Sequence, residues 1–241
     1  GSHDTASAVA GAPARDAQPL FLSSGTWSLL GRELTAPIVT EASARAGFSN
    51  EQGLANTTRF LKNVAGMWLL QECKKSWDAR GFTAGYAELV RDAAASEAEA
   101  IIDPDHESFQ KPCDMPAAIA TYLERTGQPA ADSPAATTRI ILQSLAAKYG
   151  RLVGQLREWM PDLPDTLHIV GGGSQNALLN QMTADATGLR VEAGPIEATA
   201  AGNALAQLIA AGEIASLAEG RELLRASFQP RTFEPATALT T

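Results

Sequence analysis

Apolar positions follow two rhythms along this chain. One is short unbroken runs, and the other is a recurrence every three and four residues. The runs come first. Residues 19–23 and 27–34 flank Ser24-Gly25-Thr26 and predict a β-hairpin. A small helix or turn at 41–47 and an irregular polar stretch at 48–58 lead to a short strand over 58–61. The second rhythm then takes over. Val64, Met67 and Trp68 recur at i, i+3 and i+4, which predicts a helix over 64–79 with Asn63 as its N-cap and Gly81 beyond its end. Gln71 continues that stripe, so it sits at the edge of a core or reaches into a cleft.

A further amphipathic helix is expected over 83–96, with Tyr86, Leu89 and Val90 inward. Residues 99–116 predict a short edge strand and a loop, where His106 between Asp105 and Glu107 reads as part of a solvated acidic loop. A short helix over 116–126 ends at Gly127. Asp132-Ser133-Pro134 is a strong helix start, and Pro161 stops that helix after Met160. Ile141, Leu145, Tyr149, Leu152, Leu156 and Trp159 give it one apolar face. At ~1.5 Å per residue it is roughly 40 Å long.

The last third reads strand, helix, strand, helix. Residues 167–170 form a buried strand, three glycines follow, and a helix begins at Ser174 or Gln175 and ends at Gly188. A strand over 189–193 turns at Gly194-Pro195 into a helix over 197–211. Ala200, Ala201, Gly202 and Ala204 let that helix pack very close to a sheet. A last helix covers 219–227, and the tail from Gln229 is Pro/Thr-rich and expected to be loose. The sum is one α/β or α+β domain over 1–228 with a tail at 229–241, no internal repeat and no break.

Charge narrows the choice of partners. A net charge of −8 argues against nucleic acid, which is held mainly through Lys and Arg on phosphate. No apolar run approaches the about 18 residues of a membrane span. Cys73 and Cys113 are too few and too far apart for a disulfide framework or a cysteine metal site, and a cytoplasmic setting fits best. The chain opens Gly1-Ser2-His3 without an initiator Met, so those residues read as a native segment or a tag scar, and the chain as a piece of something longer.

Three places could carry chemistry. Gly171-Gly172-Gly173 lets backbone approach a ligand, because glycine has no Cβ, and the helix that follows offers unpaired N–H groups. It lacks the Lys of a phosphate-binding P-loop, and Asn176 stands where a dinucleotide fingerprint needs its third glycine. The plain alternative is a tight turn that binds nothing. Ser24-Gly25-Thr26 suits a phosphate or an ordinary hairpin turn. Asp4 reads as a helix N-cap, which composition favours, or as a carboxylate available as a general base.

Taken together, Ser2-His3-Asp4-Thr5-Ala6-Ser7-Ala8, Ser23-Ser24-Gly25-Thr26-Trp27-Ser28-Leu29, Leu61-Lys62-Asn63 with Gly66, Trp68-Leu69-Leu70-Gln71, and Gly171-Gly172-Gly173-Ser174-Gln175-Asn176 running on to Leu179-Asn180-Gln181 and Ala184-Asp185 resemble the C-terminal half of the FGGY carbohydrate kinases, and within them the rhamnulokinases. Order and spacing match over nearly the whole chain. The resemblance implies an actin-like, RNase H-like domain. It makes Asp4 the catalytic base toward a sugar hydroxyl attacking the γ-phosphate of ATP, with His3 and Thr5 touching the sugar. Gly25 and Thr26 match a phosphate loop, Asn63 and Gln71 match nucleotide contacts, and Gly171, Gly172, Gly173 and Asn176 match the adenosine motif. The implied cofactors are ATP and Mg²⁺, with no protein metal site, and the implied substrate is L-rhamnulose. The family's N-terminal domain, which carries the rest of the sugar pocket, is absent from this chain, so the chain alone is expected to turn over little. The alternatives are another FGGY ketose or polyol kinase, a non-catalytic adenine-nucleotide module, and a purely structural domain.

Overall fold

The computed structural model describes residues 3–236; Gly1 and Ser2, and with them the tag question, lie outside that span, as do residues 237–241. The chain runs α1 (Asp4–Ala10), β1 (Leu20–Ser24), β2 (Trp27–Leu34), α2 (Glu41–Arg45), β3 (Ser49–Gln52), β4 (Thr58–Ala65), α3 (Trp68–Ala79), α4 (Tyr86–Ala95), α5 (Met115–Arg125), α6 (Pro134–Trp159), β5 (Thr166–Val170), α7 (Ala177–Thr187), β6 (Arg190–Ala193), α8 (Ala198–Ala211), α9 (Leu217–Ser227) and β7 (Arg231–Phe233). Seven strands form one mixed sheet in the order β3-β4-β2-β1-β5-β6-β7. Only β1–β5 and β5–β6 are parallel.

Side chains alternate across each strand, so the two sheet faces build different cores. Leu20 and Leu22 of β1, Phe60 and Val64 of β4, and Leu167 and Ile169 of β5 pack into the large core under α6 and its neighbours. Phe21 and Leu61 face the other way and meet Val9 of α1. α6 is fixed at its start by Ser133, whose hydroxyl accepts the Ala136 N–H at 3.1 Å. Its buried Tyr149 hydroxyl meets Ser28 Oγ at 2.7 Å. α7 lies so close that a Cβ at Gly150 would stand 2.6 Å from the Ala186 carbonyl oxygen.

Several expectations need correction. β4 runs on to Ala65 because β2 offers it partners as far as Trp27, so Val64 is a strand residue and Asn63 caps no helix; α3 starts at Trp68. The polar stretch after residue 48 contains β3, which pairs the outer edge of β4. Residues 99–106 form no strand. They are pinned by side chains instead: Gln128 brackets Ile101 with bonds of 2.7 and 2.8 Å, and Ser144 Oγ accepts the Ile102 N–H. His106 accepts the Ser108 N–H as the cap of a single 3₁₀ turn. Tyr86 is exposed rather than inward. The tail is tied down where β7 pairs antiparallel with β6 and buries Phe233. The small residues of α8 serve a helix crossing. A Cβ at Gly202 would stand 1.8 Å from the Ser7 carbonyl oxygen, and one at Gly11 would stand 2.1 Å from that of Ala198.

That crossing predicts a sharp sensitivity. Gly202→Val has backbone on the far side of the contact and nothing flexible to displace, so it should destabilise the chain by at least the ~1–3 kcal/mol of an overpacked core. Thermal denaturation against Ala206→Val, a helix substitution that borders a cleft, would measure it; equal melting temperatures would refute the crossing.

His168 gives a pH prediction. It is buried on the α1 side of β5, and neither ring nitrogen has a hydrogen-bond partner. Burial, then the Arg221 and Arg225 guanidinium groups, push it down from the usual 6.5 to about 4. Between those values the unfolded chain takes up a proton that the folded chain refuses. Stability is therefore intact above about pH 6.5 and falls by up to about 3 kcal/mol as pH drops toward 4. Urea midpoints across that range should show the fall, and His168→Phe, which loses no hydrogen bond, should flatten it.

Candidate functional site

β1 and β5 run parallel, with Ser23 opposite Val170, so the turns that follow them leave the sheet side by side. The approach between them is close. Gly171 has φ +86°, and a Cβ there would stand 2.9 Å from the Ser24 carbonyl oxygen; at Gly173 it would stand 1.9 Å from Ser24 Oγ. On the other flank, a Cβ at Gly66 would meet the Gly25 carbonyl oxygen at 2.7 Å. The Met67 and Trp68 N–H groups donate to the Gly25 and Thr26 carbonyls at 2.9 and 3.0 Å. The hairpin turn is thus wedged between the glycine turn and the start of α3. The Gly25 N–H is taken by the Trp27 carbonyl at 3.0 Å. What the turn presents outward is Thr26, exposed and with no side-chain partner among the described residues.

The glycine turn itself is tied by hydrogen bonds. Gly172–Gln175 form a single 3₁₀ turn, and α7 begins only at Ala177, later than the expected Ser174 or Gln175. Ser174 Oγ donates to the Gly171 carbonyl at 2.6 Å, and Asn180 Nδ2 donates to that of Ser174 at 2.8 Å. Asn176 caps α7, its Oδ1 accepting the Leu179 N–H at 3.1 Å. Its Nδ2 is buried without a partner. Gly172 is different from its neighbours: it is exposed, and an added Cβ would meet nothing within 4 Å. Gln71 lies in the first turn of α3, half-buried, beside the segment that holds Gly25 and Thr26.

α1 carries the remaining residues. His3 occupies the N-cap position, so Asp4 is the first helical residue and does not cap. Its side chain is 83% exposed. Asp4 Oδ1 accepts the Thr5 N–H at 2.7 Å and lies 3.4 Å from His3 Nδ1. Thr5 is half-buried. A carboxylate so placed can receive a proton from a ligand without breaking any core contact. Asn63 is exposed on β4, two residues beyond Leu61 and hence on the same sheet face as α1. The structure therefore groups Gly25, Thr26, Gln71, Gly171, Gly172, Gly173 and Asn176 around the paired turns, and sets His3, Asp4, Thr5 and Asn63 on the α1 side.

The residues around the turns fit a nucleotide. A glycine floor with open space at Gly172 suits a flat base, the unmet Asn176 amide marks polar capacity, and the Thr26 hydroxyl suits a phosphate oxygen. Among the described residues, no group of three His, Cys, Asp or Glu could hold a metal ion. Sequence reasoning missed a cleft of about 570 Å³, which opens beside His3 and is lined by Glu51 and the buried Arg59. The available signal was a charged residue at an inward strand position, Arg59 alternating with Leu61.

The family model for the C-terminal domain of the FGGY family of carbohydrate kinases matches residues 20–211. The chain belongs to the FGGY family of carbohydrate kinases. Its fold is accordingly the C-terminal actin-like ATPase domain of that family. Among curated relatives, this FGGY chain is 44% identical over 97% of its length to a rhamnulokinase of Bacteroides thetaiotaomicron, covering 47% of that protein. It is 38% identical over 98% of its length to one of Halalkalibacterium halodurans, covering 50% of it. The chain spans about half the length of the curated relatives it matches. Among solved structures, a xylulose kinase from Rhodospirillum rubrum superposes with a TM-score of 0.69 at 15% identity, over 97% of this chain and 46% of that one. A Plasmodium falciparum glycerol kinase with ADP gives 0.65 at 17%, over 96% and 46%. At such identities these structures speak for the fold alone.

The wedged turns separate two neighbouring glycines. Gly173→Ala should lower the melting temperature, because its Cβ collides with Ser24. Gly172→Val should leave stability within about 0.5 kcal/mol of wild type, as surface substitutions do, while weakening nucleotide binding. Equal stability of the two variants would refute the wedge.

Proposed function

We propose that this chain is the nucleotide-binding half of an ATP-dependent sugar kinase whose substrate is L-rhamnulose and whose product is L-rhamnulose 1-phosphate. The observation that carries the reading is the pair of turns locked side by side at the ends of β1 and β5, which offers a glycine floor and a hydroxyl-bearing turn to one nucleotide. The rhamnulokinase relatives, matched along nearly the whole chain, support the sugar.

The roles follow from placement. Phosphoryl transfer needs positioning and charge neutralisation more than covalent chemistry. ATP supplies the phosphoryl group, and Mg²⁺ on its phosphates would be held by water and phosphate oxygens, so no acidic cluster is required. Thr26 orients a phosphate oxygen, Gly172 and Asn176 receive the base, and Gln71 borders the nucleotide. Asp4 takes the proton of the attacking hydroxyl, and His3 and Thr5 border the sugar; Asn63, expected at the nucleotide, shares the sheet face of Leu61 and is assigned to the sugar side instead. The rest of the sugar pocket belongs to the domain that completes the relatives' length, and without it the chain binds nucleotide but turns over little. Nucleic acid and membrane have no part in this reading; among the described residues no helix is long and apolar enough to cross a membrane. The reading keeps a cytoplasmic setting.

Calorimetry with ADP and Mg²⁺ tests the nucleotide half-site. Saturable binding is expected, weakened about tenfold (~1.4 kcal/mol) in Asn176→Ser, which keeps the α7 cap but removes the amide. With the chain completed by its missing half, Asp4→Asn should cut kcat by about 10²–10⁴. A folded chain that ignores ADP, or a completed enzyme indifferent to Asp4→Asn, would refute the reading. Preference for another ketose would move the sugar and keep the kinase.

A further inference from the structure

The cleft beside His3 has a wall that the roles above leave unused. Arg59 reaches it from β4 with its side chain only 2% exposed. Nε and Nη2 each donate to the Gln52 carbonyl at 3.2 Å, and Nη2 pairs with Glu51 Oε2 at 3.0 Å. Nη1 is buried and has no partner. An unmet donor on a buried guanidinium is costly, because its hydration is lost and nothing replaces it. Glu51, by contrast, is 34% exposed and keeps acceptor capacity on the same wall.

The turn that closes the cleft is also held against its own preferences. Ala55 and Asn56 both have positive φ, 55° and 62°; asparagine adopts that region readily, whereas alanine avoids it. Thr57 Oγ1 fixes the turn by sharing its single proton between the Leu54 carbonyl and Glu33 Oε1, each at 2.8 Å. Leu54 packs against the cluster of Ala10 and Leu205. The β3–β4 turn therefore reaches across to α1 and α8 and walls off a volume within the range usual for small-molecule sites.

We propose that this cleft is a polyol subsite, in which Arg59 and Glu51 grip hydroxyl oxygens of the sugar remote from the one that Asp4 deprotonates. The inference rests on the kinase reading. A neutral polyhydroxy ligand fits better than an anion, because the Arg59 charge is already met by Glu51 and lies in the field of Glu33 and Asp4. A hydroxyl both donates and accepts, so it can answer a guanidinium and a carboxylate on one wall. His3 lines the cleft and the glycine turn does not, which places the ligand on the sugar side of the site.

The test is a titration of the chain with L-rhamnulose in the presence of Mg²⁺ and ADP, read by calorimetry and by the backbone amide signals of Ser7, Gln52 and Gly53. Those signals should shift saturably. Glu51→Gln and Arg59→Lys should each weaken the sugar at least fivefold while changing the ADP affinity less than twofold. Glu51→Gln keeps the test valid if Arg59→Lys disturbs the fold. Inorganic phosphate at the same concentrations should leave the signals in place. Signals unmoved by the sugar, sugar affinity retained in both variants, or phosphate displacing the sugar would each overturn the subsite. Sugar binding in a chain that ignores ADP would support the subsite and overturn only the nucleotide reading.

Discussion

Between Ser24 and the glycine turn there is no room for a single extra carbon. Everything proposed for the nucleotide depends on that closeness. The parallel pairing of β1 with β5 brings the carboxyl ends of both strands to one edge, the place where open α/β sheets commonly bind ligands. Parallel pairing alone would leave two independent loops. The Ser24 contacts at Gly171 and Gly173, with the Gly25 contact at Gly66, turn them into one surface whose parts cannot shift separately. The surface exposes Thr26 and Gly172 to a ligand, while the Ser24 hydroxyl, Asn180 Oδ1 and the Asn176 amide nitrogen lie buried in it without a partner.

The second constraint is the crossing of α1 over α8. A helix of 7 residues cannot hold itself in place, because helix nucleation is costly and short helices are marginal in water. α1 is held from outside, by Gly202 and Gly11 letting two backbones touch, and by Val9 against Phe21 and Leu61. Its first residue is then fixed in position while its carboxylate stays open to a ligand.

How far the sequence revealed this follows from what kind of signal each part carries. Helix α6, the hairpin and the strand before the glycines have strong apolar periodicity and clear caps, and they stand close to where the pattern put them. β3 reads Ser-Asn-Glu-Gln, with no apolar residue to announce a strand; it exists because β4 has an edge to pair. Val64 and Met67 mimic a helical stripe across a strand end and a turn, and tertiary pairing with β2 overrides that local spacing. The glycines of the turn were legible as a group, but not the division between Gly172, which is open, and Gly173, which is filled by Ser24 from another strand. Arg59 and Glu51 were invisible as a site because only the fold brings them beside His3.

Buried charge is concentrated on the α1 side of the sheet. Glu33 and Arg221 pair at 2.6 Å with side chains 2% and 5% exposed, Arg59 and His168 face the same way, and the opposite face keeps charge at its margins, where Arg32 meets the exposed Asp162. Buried ion pairs contribute little net stability compared with apolar groups of the same shape, so stability does not explain the asymmetry. Geometry does. Glu33 accepts from Arg221 of α9 and from Thr57 of the β3–β4 turn, and Arg221 donates onward to the Val9 carbonyl of α1 at 3.2 Å. One carboxylate thus ties together the helix that presents Asp4, the turn that walls the Arg59 cleft and the last helix of the chain. Apolar contacts tolerate sliding, whereas this network has one register, which is what the proposed role of Asp4 on the α1 face calls for.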